Sequence, residues 1–112
     1  MNYFDKKSII VTGAGSGVGR SAARIIAERG GRVIIADSNE STGRETEAII
    51  RDAGGTAIFV RTDISQESEV RNMVDAAVSE FGRLDGGFNN AAIPQDNVPI
   101  VEMTLEGLAA LH

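Results

Sequence analysis

A glycine-rich stretch at residues 12–19, Thr-Gly-Ala-Gly-Ser-Gly-Val-Gly, follows the apolar run Ser8-Ile9-Ile10-Val11 and precedes an alanine- and isoleucine-rich stretch. Glycine permits tight turns and lets backbone amides come close to a ligand. A helix that begins after such a loop presents unpaired N–H groups and partial positive charge at its N-terminus. The sequence therefore predicts a strand, a loop that cradles phosphate groups and a helix, and dinucleotide binding is the leading hypothesis.

Short apolar runs rich in β-branched residues alternate with helical patterns along the rest of the chain. The predicted strands are residues 7–11, 32–36, 56–60 and 84–88. Strands that alternate with helices are typical of a parallel sheet with right-handed crossovers and helices on both faces. We therefore expect an α/β fold of Rossmann type, a doubly wound parallel sheet with strand order 3-2-1-4 in a three-layer αβα arrangement.

Apolar spacing predicts the buried face of two helices. In the first helix, expected to end near Gly30-Gly31, this face comprises Val18, Ala22, Ile25 and Ile26. In the third helix, which Ser65 is expected to cap, the apolar stripe comprises Val70, Met73, Val74, Ala77, Val78 and Phe81. A last helix is predicted from Thr104 onward. The stripe of the third helix is expected to be core and not a cofactor site.

Polar or glycine-rich segments follow the end of each predicted strand. They are residues 12–19, Asp37, Asp63 and Asn89-Asn90. In doubly wound sheets, ligands bind beyond the carboxyl ends of the strands, where the strand order reverses. The four segments are therefore expected to meet at one edge of the sheet.

With these residues in place, the chain resembles the N-terminal half of a classical short-chain dehydrogenase/reductase. The matching motifs are Thr12, Gly13, Gly17 and Gly19 for Thr-Gly-x-x-x-Gly-x-Gly, Asp37 after the second strand, Asp63-Ile64 after the third, and Asn89-Asn90-Ala91-Ala92 for Asn-Asn-Ala-Gly. Ala92 departs from the family's glycine. The expected cofactor-binding residues are Gly13, Ser16, Gly17, Val18, Gly19, Asp37, Asp63, Ile64, Asn90 and Ala91.

The resemblance implies a role for each group of these residues. Residues 16–18 would line the diphosphate, Asp63 and Ile64 the adenine, and Asn90 the ribose. Structural interpretations stay open beside these roles: Thr12 and residues 89–90 could tie strands together, and Asp63 could cap a helix. Gly13 and Gly19 also serve close helix–strand packing on either interpretation.

Asp37 predicts NAD rather than NADP. A carboxylate can accept hydrogen bonds from both ribose hydroxyls, whereas it repels a 2′-phosphate by roughly 4 kcal/mol per unit charge at about 4 Å and an effective dielectric constant near 20. No arginine is expected beside Asp37 or within the glycine loop, and Arg44 falls about two turns into the next helix.

The resemblance implies hydride transfer between nicotinamide and a hydroxyl or carbonyl carbon of a small alcohol or ketone. The family's serine, tyrosine, lysine and supporting asparagine would lie beyond His112, so no catalytic residue is assigned and residues 1–112 are expected to form the N-terminal part of an NAD(P)-binding domain, inactive alone. Tyr3 and Lys7 share the Tyr-x-x-x-Lys spacing, but they precede the first strand and are rejected. The alternative is a non-catalytic dinucleotide-binding or interaction module.

Composition excludes several other classes of function. A formal charge of −5 with scattered Lys and Arg argues against nucleic-acid binding, and the absence of cysteine excludes disulfides and thiolate metal sites. Neither a membrane-spanning run nor a secretory signal is found, so a cytoplasmic protein is expected. Acidic residues show no metal-binding pattern. The family resemblance implies a homo-oligomer, a dimer or a tetramer.

Overall fold

The computed structural model describes residues 4–15 and 17–90, which form alternating strands and helices. The elements in chain order are β1 (Ser8–Thr12), α1 (Gly17–Glu28), β2 (Arg32–Asp37), α2 (Glu40–Asp52), β3 (Thr56–Arg61), α3 (Glu67–Phe81) and β4 (Gly86–Asn89). The strands are all parallel and lie in the order β3-β2-β1-β4. This confirms the predicted architecture. The residues of five predictions, Tyr3, Ser16, Ala91, Ala92 and the helix from Thr104, lie outside the described residues.

Alternate residues of the central strands face two separate cores. One core joins β1, β2 and β3 to α1 and α2, and it contains Ile9, Val11, Ala14, Ala23, Ile26, Val33, Ile35, Ile50 and Ala57. The other lies against α3 and contains Ile10, Ile34, Ala36, Val70, Met73, Ala77 and Leu84. Since successive side chains of a strand point to opposite faces, continuous apolar runs such as 9–11 are buried on both sides. The sheet is thus the middle of three layers.

The buried face of α1 is rotated relative to the predicted face, and Ile26 is the one predicted residue that is buried. Val18 is 66% exposed and Ile25 48% exposed, whereas Gly19, Ala23 and Ile26 are buried. Both sets have helical spacing, so periodicity alone does not distinguish them. The small residues face the sheet because they let the helix backbone approach it closely, and this leaves larger side chains outside.

The stripe predicted for α3 is confirmed except at Val78. Val70, Met73 and Ala77 are buried, with Val74 and Phe81 packed against them, but Val78 is 43% exposed. The predicted Ser65 cap is wrong, because α3 begins at Glu67 and is preceded by Gln66, which makes no capping bond with its side chain. The N–H and the hydroxyl of Ser65 donate to Asp63 instead, and α3 begins only after this turn.

Side chains of α2 close the outer edge of β3. Glu47 accepts the Phe59 N–H at 2.8 Å, and Arg51 donates to the Ala57 carbonyl oxygen at 2.9 Å. Since β3 is the last strand on its side of the sheet, both backbone groups would otherwise be open to pairing with another chain. Natural sheets protect their edges in this way.

An ion pair fixes the start of β1 beside β4. The Ser8 N–H donates to Asp85 at 2.8 Å, and Arg83 contacts the same carboxylate at 2.5 Å. Burial raises the pKa of Asp85, but the hydrogen bonds from Arg83 and Ser8 outweigh it and the net pKa lies below the usual value.

None of the described helices has the length and apolar character needed to cross a bilayer.

Candidate functional site at the carboxyl edge of the sheet

The strand register brings the predicted segments to one edge of the sheet. Thr12, the last residue of β1, lies opposite Ala36 of β2 and Asn89 of β4. Asp37 closes β2 opposite Arg61, the last residue of β3. The glycine loop after β1 therefore lies between the ends of β2 and β4, as the sequence predicted.

The glycine loop turns back onto the sheet and then opens toward solvent. Gly13 has φ +64° and donates its N–H to Ala36 at 2.8 Å, while Gly17 has φ +59° and no neighbouring atom within 4 Å of where a Cβ would stand. Gly19 is buried, and a Cβ there would overlap the carbonyl group of Gly13. Gly13 and Gly19 thus pack the helix against the strand, whereas Gly17 leaves open space.

Thr12 joins the end of β1 to the end of β4. Its hydroxyl donates to Asn89 Oδ1 at 2.8 Å and accepts the Asn90 N–H at 3.0 Å. The Asn90 amide also donates to the Gly13 carbonyl oxygen at 3.5 Å. Thr12, Asn89 and Asn90 therefore tie the ends of β1 and β4 together, as the structural interpretation predicted. Asn90 also holds the glycine loop at the candidate site.

Asp37 holds the glycine loop directly. Its Oδ2 accepts the Gly15 N–H at 2.8 Å, and its Oδ1 accepts the Asn39 N–H at 2.9 Å. A Cβ on Gly15 would stand 2.6 Å from Asp37 Oδ2 and 2.5 Å from the Thr42 hydroxyl. Gly15 is a variable position of the glycine motif, so the sequence reasoning missed it. Its proximity to Asp37 could not be read from spacing.

An arginine lies beside the glycine loop, although the sequence has none next to Asp37 or within the loop itself. Arg20 donates to the Gly15 carbonyl oxygen at 2.6 Å and to that of Thr42 at 3.3 Å, and it forms an ion pair with Glu45 at 2.6 Å. Gly15 therefore bonds to Asp37 through its N–H and to Arg20 through its carbonyl group. Arg20 follows the last motif glycine directly, which is the signal that could have pointed to it.

Asp63 and Ile64 lie in the turn that joins β3 to α3. Asp63 Oδ1 accepts both the Ser65 hydroxyl at 2.6 Å and the Ser65 N–H at 3.0 Å. These bonds favour the ionised carboxylate and lower the pKa of Asp63. Ile64 is half-buried against the core beside α3. Asp63 therefore does not cap α3 but shapes the turn before it.

The N-terminus of α1 differs from those of the other helices in its charge. Its first turn contains no acidic residue, whereas that of α2 contains Glu40 and that of α3 contains Glu67 and Glu69. Acidic side chains ordinarily occupy first turns because they favour the positive end of the helix dipole. Together with the open space at Gly17, this arrangement fits an anionic group such as a diphosphate.

No cluster of three side chains able to hold a metal ion occurs among the described residues.

Comparison with known proteins agrees with these features. The sequence profile described as short chain dehydrogenase matches residues 7–111. A 2,5-dichloro-2,5-cyclohexadiene-1,4-diol dehydrogenase of Sphingobium indicum is 44% identical over 106 residues, covering 95% of this chain and 41% of that protein. A cis-4-hydroxycyclohexanecarboxylate dehydrogenase of Sinomonas cyclohexanicum is 42% identical over 100 residues, covering 89% of this chain and 40% of that protein.

Solved structures show the same similarity. A short chain dehydrogenase/reductase from Burkholderia phymatum in complex with NAD superposes with a TM-score of 0.79 at 41% identity, covering 83% of this chain and 33% of that one. This chain spans about two fifths of the length of the two curated relatives. The motifs, the sheet order and the profile agree, and the chain belongs to the short-chain dehydrogenase/reductase family.

Proposed function

We propose that this chain is the cofactor-binding part of an NAD-dependent oxidoreductase that transfers hydride between nicotinamide and a hydroxyl or carbonyl carbon of a small molecule. The observation that carries the proposal is the carboxyl edge of the sheet, where an open glycine loop, an acid-free helix N-terminus and the carboxylate of Asp37 lie together. The bound nicotinamide would supply the hydride chemistry. The residues of this chain would bind and orient it.

Each predicted site residue has a proposed role. Ser16, Gly17 and Val18 would line the diphosphate, for which the exposure of Val18 (66%) leaves room. Asp63 and Ile64 would border the adenine, and Asn90 and Ala91 the ribose beside the nicotinamide. Gly13 and Gly19 would act indirectly, because they let the helix and the loop approach the strand.

The preference for NAD over NADP is proposed from the charges around Asp37. Both carboxylate oxygens already accept a backbone N–H, and each retains a lone pair for a ribose hydroxyl. A 2′-phosphate would meet a negative charge here. Arg20 offers little relief, because its guanidinium is bound to Gly15 and paired with Glu45.

Substrate, assembly and catalysis are proposals of the same kind. The two relatives are named as dehydrogenases of cyclic alcohols, so cyclic secondary alcohols are the first substrates to assay. We also propose a homo-oligomer, and that the catalytic serine, tyrosine and lysine lie outside residues 1–112. A non-catalytic dinucleotide-binding module is the outcome if binding occurs without turnover.

Titration of the full-length protein with NADH and with NADPH, followed by nicotinamide fluorescence, tests the proposal. We expect NADH to bind at least about tenfold more tightly, which corresponds to about 1.4 kcal/mol. Reduction of NAD in the presence of cyclic secondary alcohols is the test of turnover. Equal or tighter binding of NADPH would refute the cofactor preference, and absence of binding by both would refute the function.

A further inference from the structure

We propose that Thr46 of α2, together with Arg20 of α1, positions the glycine loop for the cofactor, although neither belongs to the family motifs identified above. This inference rests on the proposed function, because it concerns the affinity of the same site. Both are positioning residues: they act through the peptide groups of Ala14 and Gly15.

Thr46 is fully buried, and its hydroxyl is bonded on both sides. The hydroxyl donates to the Ala14 carbonyl oxygen at 2.8 Å, and the carbonyl oxygens of Gly15 and Thr42 lie farther away, each at 3.3 Å. The same hydroxyl oxygen accepts the Nε–H of Arg20 at 2.8 Å. A buried hydroxyl that is satisfied as donor and acceptor fixes its partners in position. Thr46 therefore joins the glycine loop, α1 and α2 at one atom.

Arg20 completes the clamp on Gly15. Its Nη2 bonds to the Gly15 carbonyl oxygen at 2.6 Å, while the N–H of the same residue bonds to Asp37 at 2.8 Å. The loop is therefore held at its carbonyl groups by Thr46 and Arg20, and at an N–H by the carboxylate proposed to bind ribose. Loss of the Thr46 hydroxyl would free the Ala14 carbonyl group and one N–H of Arg20 together.

A pre-formed loop raises affinity because the cofactor does not have to order it on binding. Thr46→Val has nearly the same shape but lacks the hydroxyl, so we expect the loop to loosen while the buried methyl contacts remain. NADH should bind about tenfold more weakly to this variant. Thr46→Ser retains the hydroxyl and should restore most of the affinity, despite the loss of a methyl group.

The test is the Kd for NADH of the full-length wild type, Thr46→Val and Thr46→Ser, measured well below the melting temperature of each variant. A merely structural residue would lower the melting temperature without changing the Kd. Weaker binding by Thr46→Val with rescue by Thr46→Ser supports the inference. An unchanged Kd for Thr46→Val, or equal losses in both variants, overturns it while the proposed function stands. Failure of the wild type to bind NADH or NADPH overturns both.

Discussion

Replacement of Asp37 by Asn should weaken NADH binding and reduce discrimination against NADPH at the same time. The carboxylate accepts two backbone N–H groups, from Gly15 at 2.8 Å and from Asn39 at 2.9 Å. An amide has a single acceptor oxygen, so one of these donors would face an NH₂ group and lose its bond. The change therefore removes a charge and releases one anchor of the loop.

The magnitudes follow from the two effects. A hydrogen bond to a charged group contributes about 1.5–3 kcal/mol, so NADH should bind at least about tenfold more weakly. Repulsion of a 2′-phosphate amounts to roughly 4 kcal/mol per unit charge at about 4 Å, and solvent at this half-buried edge reduces it. The preference for NADH over NADPH should therefore fall by more than about tenfold.

The assay is titration with both reduced cofactors, with Asp52→Asn as the matched control. Asp52 is an exposed residue at the end of α2, so this variant changes the net charge equally and should leave both affinities unchanged. If Asp37→Asn lowered the affinity for NADPH as much as that for NADH, repulsion by Asp37 would not govern the preference. If its NADH affinity matched that of wild type, the carboxylate would not contribute to the site.

Three other substitutions test the packing, the ion pair and the sheet edge. Gly19→Ala should destabilise the protein by about 1–3 kcal/mol, because its Cβ would overlap the carbonyl group of Gly13, measured by chemical denaturation; an unchanged free energy of unfolding would contradict this packing. The pKa of Asp85 is lowered by Arg83. The ionised carboxylate of Asp85 therefore stabilises the folded protein fully above the unfolded pKa near 3.9, and this stabilisation is lost as the pH falls through the lower folded pKa. Asp85→Asn should give a flatter decline of stability below about pH 4, and an unchanged decline would refute the role given to Asp85. Glu47→Ala exposes an N–H of β3 and should promote concentration-dependent aggregation in light scattering, whereas unchanged solubility would show that the edge needs no such cover.

The parallel sheet and the meeting of the strand ends could be predicted because they depend on the alternation of strands with helices and on chain direction. The order 3-2-1-4 also required the choice of a Rossmann-type fold, because another doubly wound order has the same alternation. The glycine loop and Asp37 each follow a buried strand, and parallel strands place their ends together. The exposed sides of helices were less predictable. Val18 and Gly19 both fit a helical period, and only contact with β1 determines that the glycine faces inward.

The supporting contacts of the site could not be predicted from the sequence. Gly15 occupies a variable motif position, and Thr46 lies more than 30 residues further along the chain, bonded to the Ala14 carbonyl group. Such bonds depend on how α2 packs over the loop, and the spacing of apolar residues in the sequence does not predict this packing. Arg20 was likewise missed because it is distant from Asp37 in the sequence, and its bond to the Gly15 carbonyl oxygen depends on the folded loop.

A crystal structure of the full-length protein with NAD would test the central claim most directly. We predict that the diphosphate lies against residues 16–18 at the start of α1, and that the adenosine ribose hydroxyls donate to Asp37 while the Gly15 N–H remains bonded to it. A dinucleotide bound away from this edge, or a ribose without contact to Asp37, would contradict it.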